Sequence, residues 1–207
     1  MGPFSVPNFA DGAFSVLLTL EALAGRITSG RRSTSVPSCE AAAPGKVDLE
    51  ADFAMFWRDG SYGDETTGTL FGECKSYGLF KAKDFQRMRY LAETFPGAIL
   101  VFSTLRESLT REEIAALTRL TKFGRKHWKA DRPVNPVLIL TGAELLTWQR
   151  PPQCWNEQLQ ERFQNVHSLM EHCDASQQIY LGLPSWQQDW HAAFERRRRA
   201  SEKKSKG

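Results

Sequence analysis

Cysteine is scarce and scattered in this 207-residue sequence. The four cysteines, Cys39, Cys74, Cys154 and Cys173, include no C-x-x-C pair. Zinc ribbons take their ligands from such pairs, and disulfide frameworks belong to short, cysteine-dense chains, so neither class is indicated. Reduced structural thiols are the simpler interpretation, and an iron-sulfur cluster built from all four cysteines is the alternative.

Long apolar runs are also absent, because no stretch approaches the roughly 18 apolar residues of a membrane-spanning helix. The amino terminus, MGPFSVPNF, lacks the basic start and the continuous apolar stretch of a signal peptide. We therefore expect a cytoplasmic protein with no membrane partner. The histidines show no spacing typical of metal ligands, such as H-E-x-x-H, and we assign them no role.

The composition, at 41% hydrophobic and 25% charged residues, is that of a globular protein, which excludes a disordered or fibrous chain. The net charge of +3 is unevenly distributed. Segment 195–207 has seven basic and two acidic residues, a charge of +5, so the rest of the chain sums to −2. We interpret this tail as a disordered, solvated terminus that can still raise non-specific affinity for nucleic acid.

Hydrophobic periodicity predicts the first elements. The stretch DGAFSVLLTLEALAG, from Asp11 to Gly25, is predicted to be an amphipathic helix. Its apolar stripe would contain Phe14, Leu17, Leu18, Leu20 and Leu23. The polar stretch 26–35 is predicted to be a connection, and 36–43 at most a short edge strand, because it contains Pro37.

Two later stretches predict a β-hairpin. EADFAMFWRDG, from Glu50, alternates with Phe53 on one face and Asp52 on the other, and TLFGECKSY, from Thr69, returns after a turn. KAKDFQRMRYLAETF follows as a helix, and AILVFST as a buried strand.

The remaining stretches continue an alternation of helix and strand. TREEIAALTRLTKFGRKHWK begins with the capping box of Thr110 and Glu113, and NPVLILTG is a second buried strand. The remainder is predicted to be mostly helical, with 178–184 as a possible late strand. This order indicates an α/β fold, a mixed central β-sheet flanked by helices. With no internal repeat and no clean linker, we expect one domain, 1–194, with its core at about 11–142 and a helical part at 143–194.

An acid and a base share one face of the second hairpin strand. Side chains alternate along a strand, so Glu73 and Lys75 face the same side, and hairpin pairing would bring Asp52 close to them. Two carboxylates repel each other unless a cation lies between them, and their hard oxygen atoms favour Mg2+ or Mn2+. A lysine there can orient or deprotonate a water, or stabilise charge on a phosphate. The alternative is a strand that begins with an aspartate and carries a solvent-exposed ion pair.

The following helix places Gln86 and Tyr90 on one face, four residues apart. The ordered set Asp52, Glu73-Cys74-Lys75 and Gln86-x-x-x-Tyr90 resembles the PD-(D/E)XK nuclease superfamily, specifically its RecB-like branch. The resemblance covers about residues 11–104. It implies a restriction-endonuclease-like fold.

The resemblance also implies roles for single residues. Asp52, Glu73 and the carbonyl of Cys74 would bind Mg2+ or Mn2+, and Lys75 would position the attacking water. Gln86 and Tyr90 would help to hold the lysine and the DNA near the metal.

Members of this family often have a further acid on the first helix, and Glu21 is the candidate because it lies on the apolar stripe. Alternatively, Glu21 only borders the stripe or pairs with Arg26, and Glu40 and Glu50 are weaker candidates for the further acid. The family's proline before the aspartate is replaced by Ala51, and the histidine sometimes found on the first helix is absent.

Basic residues offer contacts to nucleic acid. Lys81 and Lys83 lie just after the E-x-K strand, and Lys122, Arg125 and Lys126 lie in a stretch with interleaved aromatic residues. A solvated helix end explains the second group equally well.

The sequence therefore predicts a metal-dependent deoxyribonuclease, a phosphodiester hydrolase with DNA as its partner. A larger protein complex or a homodimer is a further expected assembly. The alternative is a non-catalytic DNA- or protein-binding module of the same fold.

Overall fold

The computed structural model describes residues 11–27, 32–41, 49–59, 66–129, 132–151, 153–155 and 157–186, with single positions beyond. The first helix is α1, Asp11–Glu21, which continues into a π-helical turn, Ala22–Ile27. No helix within these ranges is long and apolar enough to cross a membrane. Beyond Glu195, the predicted basic tail lies outside the described residues.

A five-stranded mixed sheet organises the fold. Its strands, in their order across the sheet, are β1 (Arg32–Ala41), β2 (Leu49–Asp59), β3 (Thr66–Lys75), β4 (Ile99–Thr104) and β7 (Val137–Leu140). The first three strands pair antiparallel, which confirms the hairpin of β2 and β3, and β3, β4 and β7 pair parallel. Two short strands, β5 (Trp128–Lys129) and β6 (Arg132–Pro133), pair separately.

Helices connect the parallel strands and cover the sheet. They are α2 (Ala82–Thr94), α3 (Arg111–Gly124), α4 (Gly142–Leu145), α5 (Glu157–Phe163) and α6 (Leu169–Leu181). The alternating side chains of β2 separate two apolar clusters. Phe53 packs on the side of the π-helical turn and α6, and Ala54 packs on the side of α2 and α3. The predicted fold class, a mixed sheet flanked by helices, is confirmed.

The predicted apolar stripe of α1 is only partly correct: Leu23 is buried, and Leu18 and Leu20 pack against the core, but the other two residues do not. Phe14 and Leu17 are 43% and 60% exposed, whereas Ser15 and Thr19 are fully buried. The sheet beneath α1 offers polar partners: the Thr19 hydroxyl lies 2.7 Å from that of Ser103. Buried hydroxyl groups with partners therefore replace apolar side chains on this face.

Two strand predictions also need correction. Strand β1 begins at Arg32, so part of the predicted connection 26–35 is a strand, and Pro37 is tolerated because β1 is an edge strand. The proposed late strand 178–184 is wrong, because α6 extends to Leu181. A capping box of Ser168 and Glu171 begins α6, and Gly182, at φ 61°, ends it.

Candidate active site

Asp52 lies where strand pairing changes on both sides of β2. The register between β1 and β2 is interrupted only at Ser38, which would face Asp52 and has a φ of 54°. On the other side, pairing with β3 ends at Phe53 and Gly72. The Cys74 N–H donates instead to Asp52 Oδ2 at 2.6 Å. The carboxylate is thereby fixed between two strands.

Glu73 and Lys75 lie at the carboxyl end of β3, beside α2. The Lys75 ammonium donates to Glu73 Oε1 at 2.6 Å and lies 3.4 Å from Asp84 Oδ2. Glu73 is 0% exposed, and its two oxygen atoms also lie 3.2 and 3.0 Å from Arg87 Nη2. The parity prediction is met here, since Glu73 and Lys75 point to the same side of β3.

Asp84 and Arg87 of α2 and Glu50 of β2 complete a charged cluster, which we define as Glu50, Asp52, Glu73, Lys75, Asp84 and Arg87. Arg87 Nη2 donates to Asp84 Oδ1 at 3.0 Å, and its other terminal nitrogen donates to Glu50. Asp84 also accepts the Lys81 N–H at 2.7 Å, which caps the helix. Four acidic and two basic groups give the cluster a formal charge of −2.

Burial and mutual repulsion disfavour ionisation of Asp52 and Glu73. Burial, followed by the charge of Asp52, raises the pKa of Glu73 to about 7, although Lys75 opposes this shift. Burial also raises the pKa of Asp52 above its ordinary value, against the hydrogen bond from Cys74. A further positive charge beside these groups would therefore favour their ionised forms.

Lys75 and Asp84 behave in the opposite way, because their surroundings favour the ionised forms. Burial acts against ionisation of Lys75, but its hydrogen bond to Glu73 and the charges of Glu73 and Asp84 outweigh burial and raise its pKa. Burial likewise opposes ionisation of Asp84, but the Lys81 N–H and the charges of Lys75 and Arg87 hold its pKa below the ordinary value. Lys75 is thus a cation at neutral pH.

A cleft of about 740 Å³ opens onto this cluster. Its wall includes Asp52, Cys74 and Lys75, together with residues of α1, β1 and the loop after β3. Glu73 is fully buried behind this wall. The α1 residues that line the cleft are Gly12, Ala13, Val16 and Leu17.

Among the described residues, Glu21 does not join Asp52 and Glu73 in a group that could hold a metal ion. It is the last residue of α1, is exposed, and follows the cleft-lining part of the helix by one turn. The prediction that it lies on a core-facing stripe is wrong, because the inward face of α1 carries Ser15 and Thr19.

Gln86 and Tyr90 lie on one face of α2, as predicted, but that face is exposed. The Gln86 amide donates to the Tyr90 hydroxyl at 3.0 Å. Gln86 also lines a separate groove between α2 and α3, with a volume of about 480 Å³. Asp84 and Arg87, rather than this pair, bring α2 into the charged cluster.

The predicted nucleic-acid contacts differ in accessibility. Lys81, Lys83, Lys122 and Lys126 are exposed. Arg125 is only 9% exposed, and it donates to the Gln177 side-chain oxygen at 2.7 Å. Arg125 therefore ties α3 to α6 and is not available to nucleic acid in this structure.

Asp84 and Arg87 are the members of the charged cluster on α2 that the sequence did not predict. Both lie on the face of α2 that also carries Met88 and Leu91, which are buried. A charged pair spaced three residues apart on an otherwise apolar helix face was the available signal, because such groups need buried partners.

The donor set suits a divalent cation held by two carboxylates. Mg2+ commonly binds through one or two carboxylates and keeps several of its water ligands. Asp52 and Glu73 could supply the two carboxylates. The cluster charge of −2 equals what one such ion would neutralise. Within the described ranges, no three His, Cys, Asp or Glu side chains are grouped to hold a metal, so water would have to complete the coordination.

Comparisons with known proteins give one structural similarity. No protein-family model matches the sequence, and neither does any curated protein. Among solved structures, the chain is similar to MspJI restriction endonuclease in complex with a 27-mer oligonucleotide, at 16% identity and a TM-score of 0.34. The alignment covers 68% of this chain and 31% of the MspJI chain, so this chain spans less than a third of that protein. This level of similarity establishes neither a shared family nor a shared activity.

Proposed function

We propose that this chain is a divalent-metal-dependent nuclease that hydrolyses phosphodiester bonds in DNA. The observation that carries the proposal is the arrangement at one open cleft. Asp52 is fixed there by the Cys74 N–H, Lys75 lies on the same wall, and Glu73 contacts Lys75 from behind. The resemblance of these residues to the PD-(D/E)XK pattern, RecB-like branch, supports the same activity.

Each residue has a distinct part in the proposed reaction. Asp52 and Glu73, with the Cys74 carbonyl, would hold Mg2+ or Mn2+. When bound, the ion supplies neutralisation of the scissile phosphate and activation of water. Lys75 acts as a hydrogen-bond donor that orients the water and stabilises charge on the phosphate, because its raised pKa makes it a poor proton acceptor.

Contacts to the DNA backbone are assigned to the exposed lysines. Lys81 and Lys83 are at the start of α2, next to the cluster, and are the main candidates. Gln86 and Tyr90 keep their predicted part in positioning substrate only as a consequence of the resemblance, since they contact each other outside the cluster.

A non-catalytic DNA- or protein-binding module is the second candidate. One observation favours it: Lys75 and Arg87 already neutralise Glu73, which is buried. An ion pair of this kind could be purely structural. Activity measurements with charge-neutral variants distinguish the two functions.

The test is cleavage of linear, circular and single-stranded DNA by the full chain with Mg2+, Mn2+ or EDTA. We expect metal-dependent cleavage that falls by at least about 100-fold in Glu73→Gln and in Lys75→Met, because each removes a group that stabilises the transition state. Glu93→Gln serves as the control, because Glu93 is an exposed acid at the end of α2 that pairs with Arg89 outside the charged cluster. This variant should cleave like the wild type.

The circular substrate separates endonuclease from exonuclease activity. A folded wild-type protein that neither cleaves DNA nor binds Mn2+ in calorimetry would contradict the proposal. DNA binding under those same conditions would then support the non-catalytic module.

A further inference from the structure

Arg87 makes more contacts to the carboxylates of the cluster than any other cation there. Its guanidinium reaches Glu50 with one terminal nitrogen, and with the other it contacts Asp84 at 3.0 Å and both oxygens of Glu73 at 3.0 and 3.2 Å. Arg87 and Lys75 therefore supply the positive charge that Glu73 requires as a buried carboxylate.

The same contacts restrict access to Glu73. Asp52 lines the cleft, but Glu73 is fully buried. Both Glu73 oxygens are within hydrogen-bond distance of the Arg87 guanidinium. An ion held by Asp52 and Glu73 would therefore come close to a positive charge, and the two cations would repel each other.

We propose that Arg87 is a built-in counter-cation of Glu73 that competes with the divalent ion for this carboxylate. When Glu73 holds a divalent ion, Arg87 would give up its contact with Glu73 and stay paired with Glu50 and Asp84. This inference rests on the proposed function, because it concerns the same metal site.

The geometry singles out Arg87 rather than Lys75 for this role. Arg87 has two further acidic partners, so it can leave Glu73 and remain paired. Lys75 lies 3.4 Å from Asp84, and moving it onto Asp84 alone would remove the cleft-side cation that the reaction needs. Glu50 is half exposed, so a guanidinium that shifts towards it moves towards water.

The experiment measures Mn2+ binding by calorimetry with the full chain. Arg87→Gln removes the competing charge, and we expect it to bind Mn2+ about tenfold more tightly than the wild type, an effect of the size of one nearby unit charge in a partly solvated site. Arg87→Lys keeps the charge and should bind like the wild type. Arg89→Gln is the matched control, because Arg89 lies on the same helix but pairs with Glu93 outside the cluster.

Thermal unfolding gives a second readout. In EDTA, Arg87→Gln should unfold at a lower temperature than the wild type, and Mn2+ should raise its midpoint by more, because tighter binding stabilises the folded state more. If Arg87→Gln does not fold, Arg87→Met, which keeps an apolar stem, takes its place.

Three results would overturn the inference. The first is a wild type that binds Mn2+ while Arg87→Gln binds it equally tightly or more weakly. This result contradicts the competition between Arg87 and the ion, but it leaves the nuclease proposal intact. Binding by Arg87→Lys as tight as that of Arg87→Gln shows that charge is not the cause. No Mn2+ binding by any of the proteins contradicts the proposed function itself.

Discussion

At the scale of single residues, the acids of the charged cluster have opposite relations to stability. Burial raises the pKa of Asp52, so its ionised form is unfavourable in the folded protein. The pKa of Asp84 is lowered, because the Lys81 N–H and two cations outweigh the effect of burial. An ionised Asp52 thus lowers the stability of the folded protein, whereas an ionised Asp84 raises it.

This contrast can be measured with two isosteric variants. We expect Asp52→Asn to unfold in EDTA with a free energy equal to or above that of the wild type, because its amide oxygen can still accept the Cys74 N–H. The same variant should lose DNA cleavage. Asp84→Asn should lower the free energy of unfolding by about 1–3 kcal/mol, because charge-assisted hydrogen bonds are lost. A loss of stability in Asp52→Asn as large as in Asp84→Asn would show that Asp52 is mainly structural.

The sequence was sufficient for the strand part of this site and not for the helix part. Alternation placed Glu73 and Lys75 on one side of β3, and hairpin pairing brought Asp52 to β3. Arg87 was not predicted, because helical periodicity tells which residues share a face but not which partners that face meets. Only the crossover from β3 to α2 brings Arg87 to Glu73.

At the scale of elements, Glu113 joins the helix after β4 to the loop after β3. Its carboxylate accepts the N–H groups of Thr110 and Phe80 at 2.8 Å and the Arg106 guanidinium at 2.6 Å. The first of these bonds belongs to the capping box that the sequence predicted. The bond to Phe80 could not be predicted, because it depends on how two crossover connections meet at one edge of the sheet.

Glu113→Gln should therefore destabilise the protein by about 2–4 kcal/mol at neutral pH, because the amide cannot accept from all of these buried donors. The neighbouring acid Glu112 is exposed in the same first turn, so Glu112→Gln is the control, with an expected change within about 0.5 kcal/mol. Chemical denaturation measures both.

The pH dependence of this effect has a definite sign. Burial opposes ionisation of Glu113, but the Thr110 N–H and Arg106 outweigh it, so the folded-state pKa lies below the ordinary 4.5. A lowered pKa contributes stability that is present above the unfolded value and is lost as the pH falls through the folded value. The stability difference between wild type and Glu113→Gln should thus be constant above about pH 5.5 and shrink in acid. A difference that grows in acid would contradict this assignment.

Helix and strand predictions failed where packing partners overrode local pattern. Residues 178–181 contain a short apolar run of strand type but belong to α6. The Gln177 amide donates to the Val137 carbonyl at 2.7 Å, which holds this helix on β7. In α1, Thr19 can be buried because its hydroxyl donates a hydrogen bond to the hydroxyl of Ser103. This partner lies 84 residues away in sequence.

At the scale of the whole molecule, the parallel strands fix which basic residues are near the cluster. The carboxyl ends of β3 and β4 lie at one edge of the sheet, and both α2 and α3 begin there. The 14 residues of α3 carry the chain back over about 20 Å to the opposite edge. Lys81 and Lys83 therefore lie at the same edge of the sheet as the charged cluster. Lys122 and Lys126 lie at the opposite edge.

This separation gives a matched test of DNA binding by the full chain. The double variant Lys81→Ser, Lys83→Ser should weaken DNA binding and reduce the slope of log K against log salt by up to about 2, because each phosphate contact contributes roughly 0.9. The double variant Lys122→Ser, Lys126→Ser removes the same charge at the far edge and should change that slope by much less. Binding measured across a salt series, in Ca2+ or EDTA to limit cleavage, gives both slopes. Equal losses from the two edges would indicate a DNA path that is not centred on Asp52 and Lys75, which would count against the proposed active site.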